Sequence, residues 1–262
     1  MGNIPGFRIA ARALRQLGAE LITSDEIALN ELIKNALDAK SKQVHINITN
    51  PFKVSRDEFT SSLGGMSKAE FINKLKSNFI DGFELDDKLI EVDNLLNVDD
   101  SNDFVEISHT IYDEMVSIII EDNGSGMDAN KLQNSFLVIG TPTKWIEKQS
   151  DTNGEILGEK GVGRLSMMRL GRYAKVISSK ENEEFENEVT FDWKKFDDPS
   201  LYLDDIEVSV DIGEKKEISA HGTKIIVKGV YAHWDEDKVS DFIHSYIRRL
   251  QNPFAKKIDS QY

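Results

Sequence analysis

The sequence predicts an α+β domain, a mostly antiparallel sheet with helices on one face. Three features predict it. Helical periodicity dominates the first part of the chain, strand alternation dominates the later part, and no regular βαβ alternation links the two. With 262 residues, 39% hydrophobic and 30% charged, the chain is long enough to bury a sizeable core and has an ordinary globular composition. There is no cysteine, which excludes disulfides, thiolate metal sites and a cysteine nucleophile, and permits a cytoplasmic location. No apolar run approaches the roughly 20 residues of a spanning helix, and the start of the chain lacks a signal-peptide core, so no membrane association is expected.

Residues 7–17 read as a helix, with Ile9, Ala13 and Leu17 at four-residue spacing and Gly18 as its C-terminal stop. Ser24 or Asp25 caps the next helix, which runs to about Lys40. Leu29, Leu32, Ile33, Ala36 and Leu37 fall on one side of it, and Glu31, Asn35 and Asp38 form a polar stripe opposite. Such a stripe suits a solvated face. It also suits a hard-cation site, because an amide oxygen and a carboxylate on adjacent turns can hold a hydrated cation and orient a water.

Val44, Ile46 and Ile48 alternate with polar residues in a half-buried strand whose His45 points outward. Residues 51–113 read as an insertion, with a helix over 68–79 and a shorter one around 86–95. An inner strand follows over 115–121 and ends in Asp122-Asn123-Gly124-Ser125-Gly126-Met127. There the glycines make either a simple turn or a close backbone approach to a flat ligand.

A helix over 128–139, capped by Asp128, buries Leu132, Phe136 and Leu137. A long polar connection from Gly140 leads to Gly158-Glu159-Lys160-Gly161-Val162-Gly163-Arg164, which opens another helix. Glycine-rich backbone entering a helix makes a nest of N–H groups suited to phosphate, although neither the P-loop ending nor a third dinucleotide glycine is present. Strands are predicted over 173–179, 185–191, 206–210 and 225–227. A final helix over 235–250 turns Val239, Phe242, Ile243, Tyr246, Ile247 and Leu250 to the core. Residues 1–250 thus form one domain, and 251–262 start a linker towards a further C-terminal region.

The formal charge of −14 is concentrated between Asp81 and Glu106, where ten acidic residues face only Lys88. Such a surface disfavours nucleic acid. Basic faces remain at Lys160, Arg164, Arg169, Arg172 and Lys175, and at Arg248, Arg249, Lys256 and Lys257.

Each feature alone is ambiguous, but their order is not. Glu31-x3-Asn35-x2-Asp38, Asp122-x-Gly124-x-Gly126, Gly158-x2-Gly161-x-Gly163 and Gly222-Thr223 together resemble the GHKL ATPase superfamily of gyrase, the large heat-shock chaperone, histidine kinases and MutL. The stretch from Gly140 to Ser166 looks most like its bacterial chaperone-like and MORC-like members.

The resemblance implies a Bergerat fold, a two-layer sandwich with a mixed, mostly antiparallel sheet and an ATP lid over residues 141–158. It implies ATP and Mg²⁺ as cofactors, with Asn35 the metal ligand and Glu31 the general base. Asp122 would accept the adenine amino proton, with Thr223 supporting through a water. Gly124, Gly126 and Met127 would pass beside the base, with Asp38 at the pocket edge and Thr141 in the lid. Gly158, Gly161, Val162 and Gly163 would cradle the phosphates. Gyrase-like and MutL-like relatives supply a γ-phosphate lysine from a following domain; within this sequence Lys160, Lys144 and Arg164 are the substitutes, with Lys160 taken first.

The implied activity is ATP hydrolysis with lid closure, an ATP-dependent homodimer and a C-terminal effector; DNA and a protein client both stay open as partners. Two alternatives are a nucleotide-gated binding module with negligible turnover and a histidine kinase catalytic domain. The latter is disfavoured because no histidine precedes His45.

Overall fold

A computed structural model describes residues 8–83, 103–138 and 165–248. The short helix over 86–95, the lid, the glycine stretch with Lys160, and the linker lie outside the described residues. In chain order the elements are α1 (Ala11–Leu21), α2 (Asp25–Asp38), β1 (Val44–Thr49), α3 (Arg56–Ser61), α4 (Lys68–Asn78), α5 (Phe104–Met115) and β2 (Ser117–Asp122). There follow α6 (Ala129–Lys131), which continues as a π turn over Leu132–Phe136, then α7 (Leu165–Leu170), β3 (Gly171–Ser179), β4 (Phe185–Asp192), β5 (Asp211–Lys215) and β6 (Gly222–Val230). The last is α8 (Glu236–Phe242), extended by a π turn over Ile243–Ile247.

The six strands form one sheet in the order β1-β2-β6-β3-β4-β5, and each neighbouring pair is antiparallel. Register places Ile46 beside Ile120, Ile120 beside Ile225, Ile225 beside Val176, and Val176 beside Val189. This row, with Ile118, Val227, Ala174 and Phe191 in the next, is the inner face and is buried under α2, α5 and α7. The alternate positions carry charge: Lys224 lies 3.7 Å from Glu121, and Lys175 lies 2.7 Å from Glu188. One apolar face and one charged face are what period-two alternation produces when helices cover only one side. The expected α+β class with helices on one face is therefore the observed one.

Several local expectations are corrected. The first helix buries Ala11, Leu14 and Gly18 rather than Ile9, Ala13 and Leu17, and Gly18 lies inside it instead of stopping it. A Cβ on Gly18 would touch Leu165 and Met168 at 3.6 Å, so this position brings α1 close to α7. Residues 206–210 alternate in burial but pair with no strand among the described residues; the strand lies just beyond, at β5, bonded to β4 across a bulge. Residues 104–115 are helix up to the start of β2, with Asp103 as N-cap, so β2 begins two residues later than predicted. On the final helix Ile243 is exposed, because the π turn rotates it away from the core.

The 51–113 region contributes an aromatic cluster to the shared core. Phe52 stacks on Tyr112 at 3.9 Å between centroids, and Phe59, Phe71 and Phe79 pack around them. The Tyr112 hydroxyl donates to the Val54 carbonyl at 3.1 Å and accepts from Asn78 at 2.6 Å. Burial pushes this phenol up to about 12, so it stays a donor throughout the physiological range. At the border with the sheet, Asp113 sits between Arg56 at 3.4 Å and Arg172 at 3.3 Å, and burial raises its carboxyl above the ordinary range against the pull of both guanidiniums. The region is thus pinned to β3 by a clasp of charge as well as by apolar packing.

Candidate nucleotide-binding site

Helix α2 starts cleanly: the Ser24 hydroxyl accepts from Ile27 N–H at 3.2 Å, and Asp25 and Glu26 occupy the first turn, where negative charge complements the helix dipole. Ala28, Leu29, Leu32, Ile33 and Ala36 are buried, whereas Glu31, Lys34, Asn35 and Asp38 are half-buried. Lys34 donates to one Glu31 oxygen at 2.7 Å, and the other oxygen has no hydrogen bond among the described residues. That pairing orients the carboxylate and leaves one lone-pair edge for a water.

The helix ends against the turn after β2. Lys40 takes a left-handed conformation (φ 60°), and the chain reverses so that Asn123 Oδ1 accepts from Ser41 Oγ, Lys42 N–H and Gln43 N–H at 2.9–3.0 Å. Ser125 N–H donates to the Ala39 carbonyl at 2.9 Å. The Asp122–Met127 turn is thereby fastened to the C-terminal end of α2. At a rise of about 1.5 Å per residue, Asn35 then lies about 6 Å and Glu31 about 12 Å further up the helix axis from Ala39.

Sheet register supplies the other wall. Val44, Asp122, Thr223, Ser178 and Asn187 are cross-strand neighbours on the inner face, so an otherwise apolar surface ends in a polar row. One Asp122 oxygen accepts Gly124 N–H at 2.7 Å. Burial raises its carboxyl above the ordinary range, although the Gly124 and Thr223 backbone N–H groups act in the opposite direction. Ser178, only 2% exposed, accepts from Met127 N–H at 2.9 Å and lies 3.0 Å from the Gly222 carbonyl and 2.8 Å from Thr223 Oγ1. This serine fixes Met127 and the Thr223 hydroxyl at once. His221 donates from Nδ1 to the Gly124 carbonyl at 2.7 Å at the rim.

Gly126 and Gly222 prove to be needed by the chain itself. A Cβ on Gly126 (φ 63°) would lie 1.8 Å from the Ser179 carbonyl oxygen, and one on Gly222 (φ 134°) 2.0 Å from that of Asp122. Both obstacles are backbone and cannot swing away. Gly126→Ala is therefore expected to cost about 2 kcal/mol or more, the scale of an unrelieved backbone clash plus left-handed strain. Denaturant unfolding checks this: a midpoint unchanged from wild type would contradict the packing described.

Of the residues predicted to form a site, Asp122, Gly124, Gly126, Met127 and Thr223 come together at one end of the sheet, and Glu31, Asn35 and Asp38 approach them along α2. Thr141, Gly158, Lys160, Gly161, Val162 and Gly163 lie outside the described residues. Ser178, His221, Asn123 and Lys34 also belong to this surface and were not singled out from the sequence. A cleft of about 720 Å³ at the opposite end of β1, walled by Phe52, Ile80, Trp234 and Ile243, contains none of the predicted residues. No group of three or more potential metal-ligating side chains occurs among the described residues, and no helix there is long and apolar enough to cross a membrane.

The histidine kinase-, DNA gyrase B- and HSP90-like ATPase family matches residues 22–83 and 92–223, which is most of the chain and includes α2, the Asp122 turn and Thr223. The chain belongs to this family. No curated protein matches the chain. Membership implies ATP binding and agrees with the antiparallel α+β architecture. The Asn35 amide oxygen is a hard donor that suits Mg²⁺, a cation that keeps much of its shell as water and phosphate oxygen and needs few protein ligands.

Proposed function

We propose that this domain binds ATP with Mg²⁺ and hydrolyses it, with the base against Asp122 and the phosphates further up α2. The observation that supports this most is the polar row Asp122–Thr223–Ser178 set into an otherwise apolar inner face. A flat heterocycle buries its faces against the apolar surface while its edge meets acceptors at that row. Asp122 accepts the exocyclic amino protons, and Thr223, held by Ser178, completes the edge. Asn35 would hold Mg²⁺, which neutralises phosphate charge when bound. Glu31, steadied by Lys34, takes a proton from the attacking water. Phosphoryl transfer asks for positioning and charge neutralisation more than covalent help, and this division of residues provides that.

The finer elements of the reading are that Lys160 reaches the γ-phosphate, that Thr141 and the 141–158 connection close over bound ATP, that Gly158, Gly161, Val162 and Gly163 hold the phosphates, and that closure promotes a homodimer able to switch a C-terminal effector. A steady-state phosphate-release assay, with dimerisation followed in parallel, tests the enzymatic part. Turnover that needs Mg²⁺ supports it. Tight ATP binding without turnover in either the monomer or the dimer favours a nucleotide-gated binding module.

The raised Asp122 carboxyl carries a pH dependence. Only the ionised form accepts both the Gly124 N–H and a base amino group. ATP affinity is thus expected to fall on acidification through that raised value, at a higher pH than an ordinary aspartate would dictate. Calorimetric titrations across mildly acidic pH check it, and an affinity flat down to the ordinary carboxylate range would contradict it.

A further inference from the structure

The sheet has two outer strands, β1 and β5, and only one of them is protected. An outer strand offers a row of unpaired N–H and C=O groups, which folds commonly shield with charged side chains, proline or a bulge. β5 uses two of these devices: it carries Asp211, Glu214 and Lys215, and a bulge interrupts its pairing with β4. β1 uses none. Its sequence, Val44-His45-Ile46-Asn47-Ile48-Thr49, contains no Asp, Glu, Lys, Arg or Pro, and its register with β2 runs unbroken from Val44 beside Asp122 to Thr49 beside Ser117.

The direction of the free backbone groups follows from how β1 begins. Asn123 N–H donates to the carbonyl of Gln43, one step before the Val44–Asp122 pair, so Gln43 turns its backbone groups towards β2. Pairing alternates along a strand. Val44, Ile46 and Ile48 therefore turn theirs outward, where no backbone group among the described residues bonds them. The side chains of the same three residues lie on the inner face and are only half-buried, whereas Ile118 and Ile120 beside them on β2 are buried. The apolar row and the hydrogen-bonding row both stop short at β1.

We propose that β1 pairs antiparallel with β1 of a second copy of this chain, about a two-fold axis at Ile46, so that two sheets become one. A two-fold contact must be self-complementary, and this one is. With Ile46 opposite Ile46, Val44 of each copy falls opposite Ile48 of the other, so every outward-turned residue meets another and each such pair exchanges two hydrogen bonds. Moving the axis one residue, to Asn47 or to His45, sets Val44 against Asn50 or Ile48 against Lys42 and loses apolar pairing. Charge agrees with the Ile46 axis. It places Lys42, an exposed cation, opposite Asn50 of the other copy, beside the cleft lined by Asp81 and Glu236. The pairing needs no nucleotide and is separate from the closure-linked dimer proposed above.

Sedimentation equilibrium of the chain without nucleotide, across the micromolar range, tests the proposal. A single strand on each side makes a small interface of the transient class, so wild type is expected to associate reversibly to a dimer and no further. His45 and Asn47 are exposed and fall opposite each other across the axis. His45→Lys combined with Asn47→Lys sets lysine against lysine twice, and is expected to weaken association by about five- to thirtyfold. His45→Lys combined with Asn47→Glu sets lysine against glutamate twice, and is expected to associate at least as tightly as wild type. Both change exposed side chains alone, and thermal unfolding run alongside checks that both fold. A wild-type chain that stays monomeric overturns the proposal, whether the edge is then bare or takes a strand from another protein. So does a double-lysine variant that associates like wild type, or a lysine–glutamate variant as weak as the double lysine, which puts the contact elsewhere.

Discussion

Asp122→Asn is expected to weaken ATP binding by about 10- to 150-fold, the range set by about 1.5–3 kcal/mol for a hydrogen bond to a charged group. The direction follows from the contacts. The retained amide oxygen is claimed by Gly124 N–H at 2.7 Å, so in the proposed binding mode the new NH₂ group would replace the oxygen that meets the base. There it opposes the exocyclic amino group of adenine, donor against donor. The fold should not suffer, because the substitution removes a carboxylate whose ionisation burial already disfavours. Calorimetric titration together with thermal unfolding separates the two effects. A variant that is at least as stable as wild type but binds ATP poorly supports the pocket assignment. Undiminished affinity means that the base sits elsewhere.

Glu31→Gln is expected to give the second large effect, on turnover instead of binding. Positioned general bases contribute about 10²- to 10⁴-fold. Phosphate release should fall by a factor in that range, while ATP affinity stays within about threefold of wild type, since a glutamine of the same shape removes basicity and little else. Loss of the Lys34 pair costs about 0.3–0.5 kcal/mol, as for other pairs spaced this way on a helix, too little to unfold the domain. Single-turnover phosphate release under saturating ATP is the appropriate measurement. Turnover that persists at the wild-type rate would transfer the role of base to another group.

What could be read in the sequence follows from how local the signal is. Helix α2 was legible because its cap, its apolar stripe and its polar stripe all lie within one continuous segment, as was the Asp122 turn with its glycines. The polar row was only half legible. Asp122 and Thr223 sit in recognisable motifs, whereas Ser178 is one serine at the end of an apolar strand, and only the pairing of β3 with β6 puts it beside Thr223. Strand register between distant segments is not written in either segment alone.

The misassigned elements have similar causes. Residues 206–210 carry the right alternation, but a strand also needs a partner, and β4 takes the more polar Asp211–Lys215. Gly18 looks like a helix stop until α7 is seen packed against it. Helix α5 did leave a signal: Phe104, Ile107, Ile111 and Met115 recur at helical spacing behind an Asp103 cap. The acidic run before it left the end of the insertion without an assigned element, although its aromatic residues pack with Phe52, Phe59 and Phe71.

The measurement that bears most directly on the central claim is a paired titration of Mg-ATP and Mg-GTP into the wild-type chain. With the base seated as proposed, the acceptors at Asp122 and Thr223 would meet an amino group in adenine and a carbonyl oxygen at the same ring position in guanine. The account predicts saturable ATP binding, with GTP at least about tenfold weaker, since an acceptor facing an acceptor leaves buried groups unpaired. Equal affinity for the two nucleotides, or no binding of ATP, would contradict it.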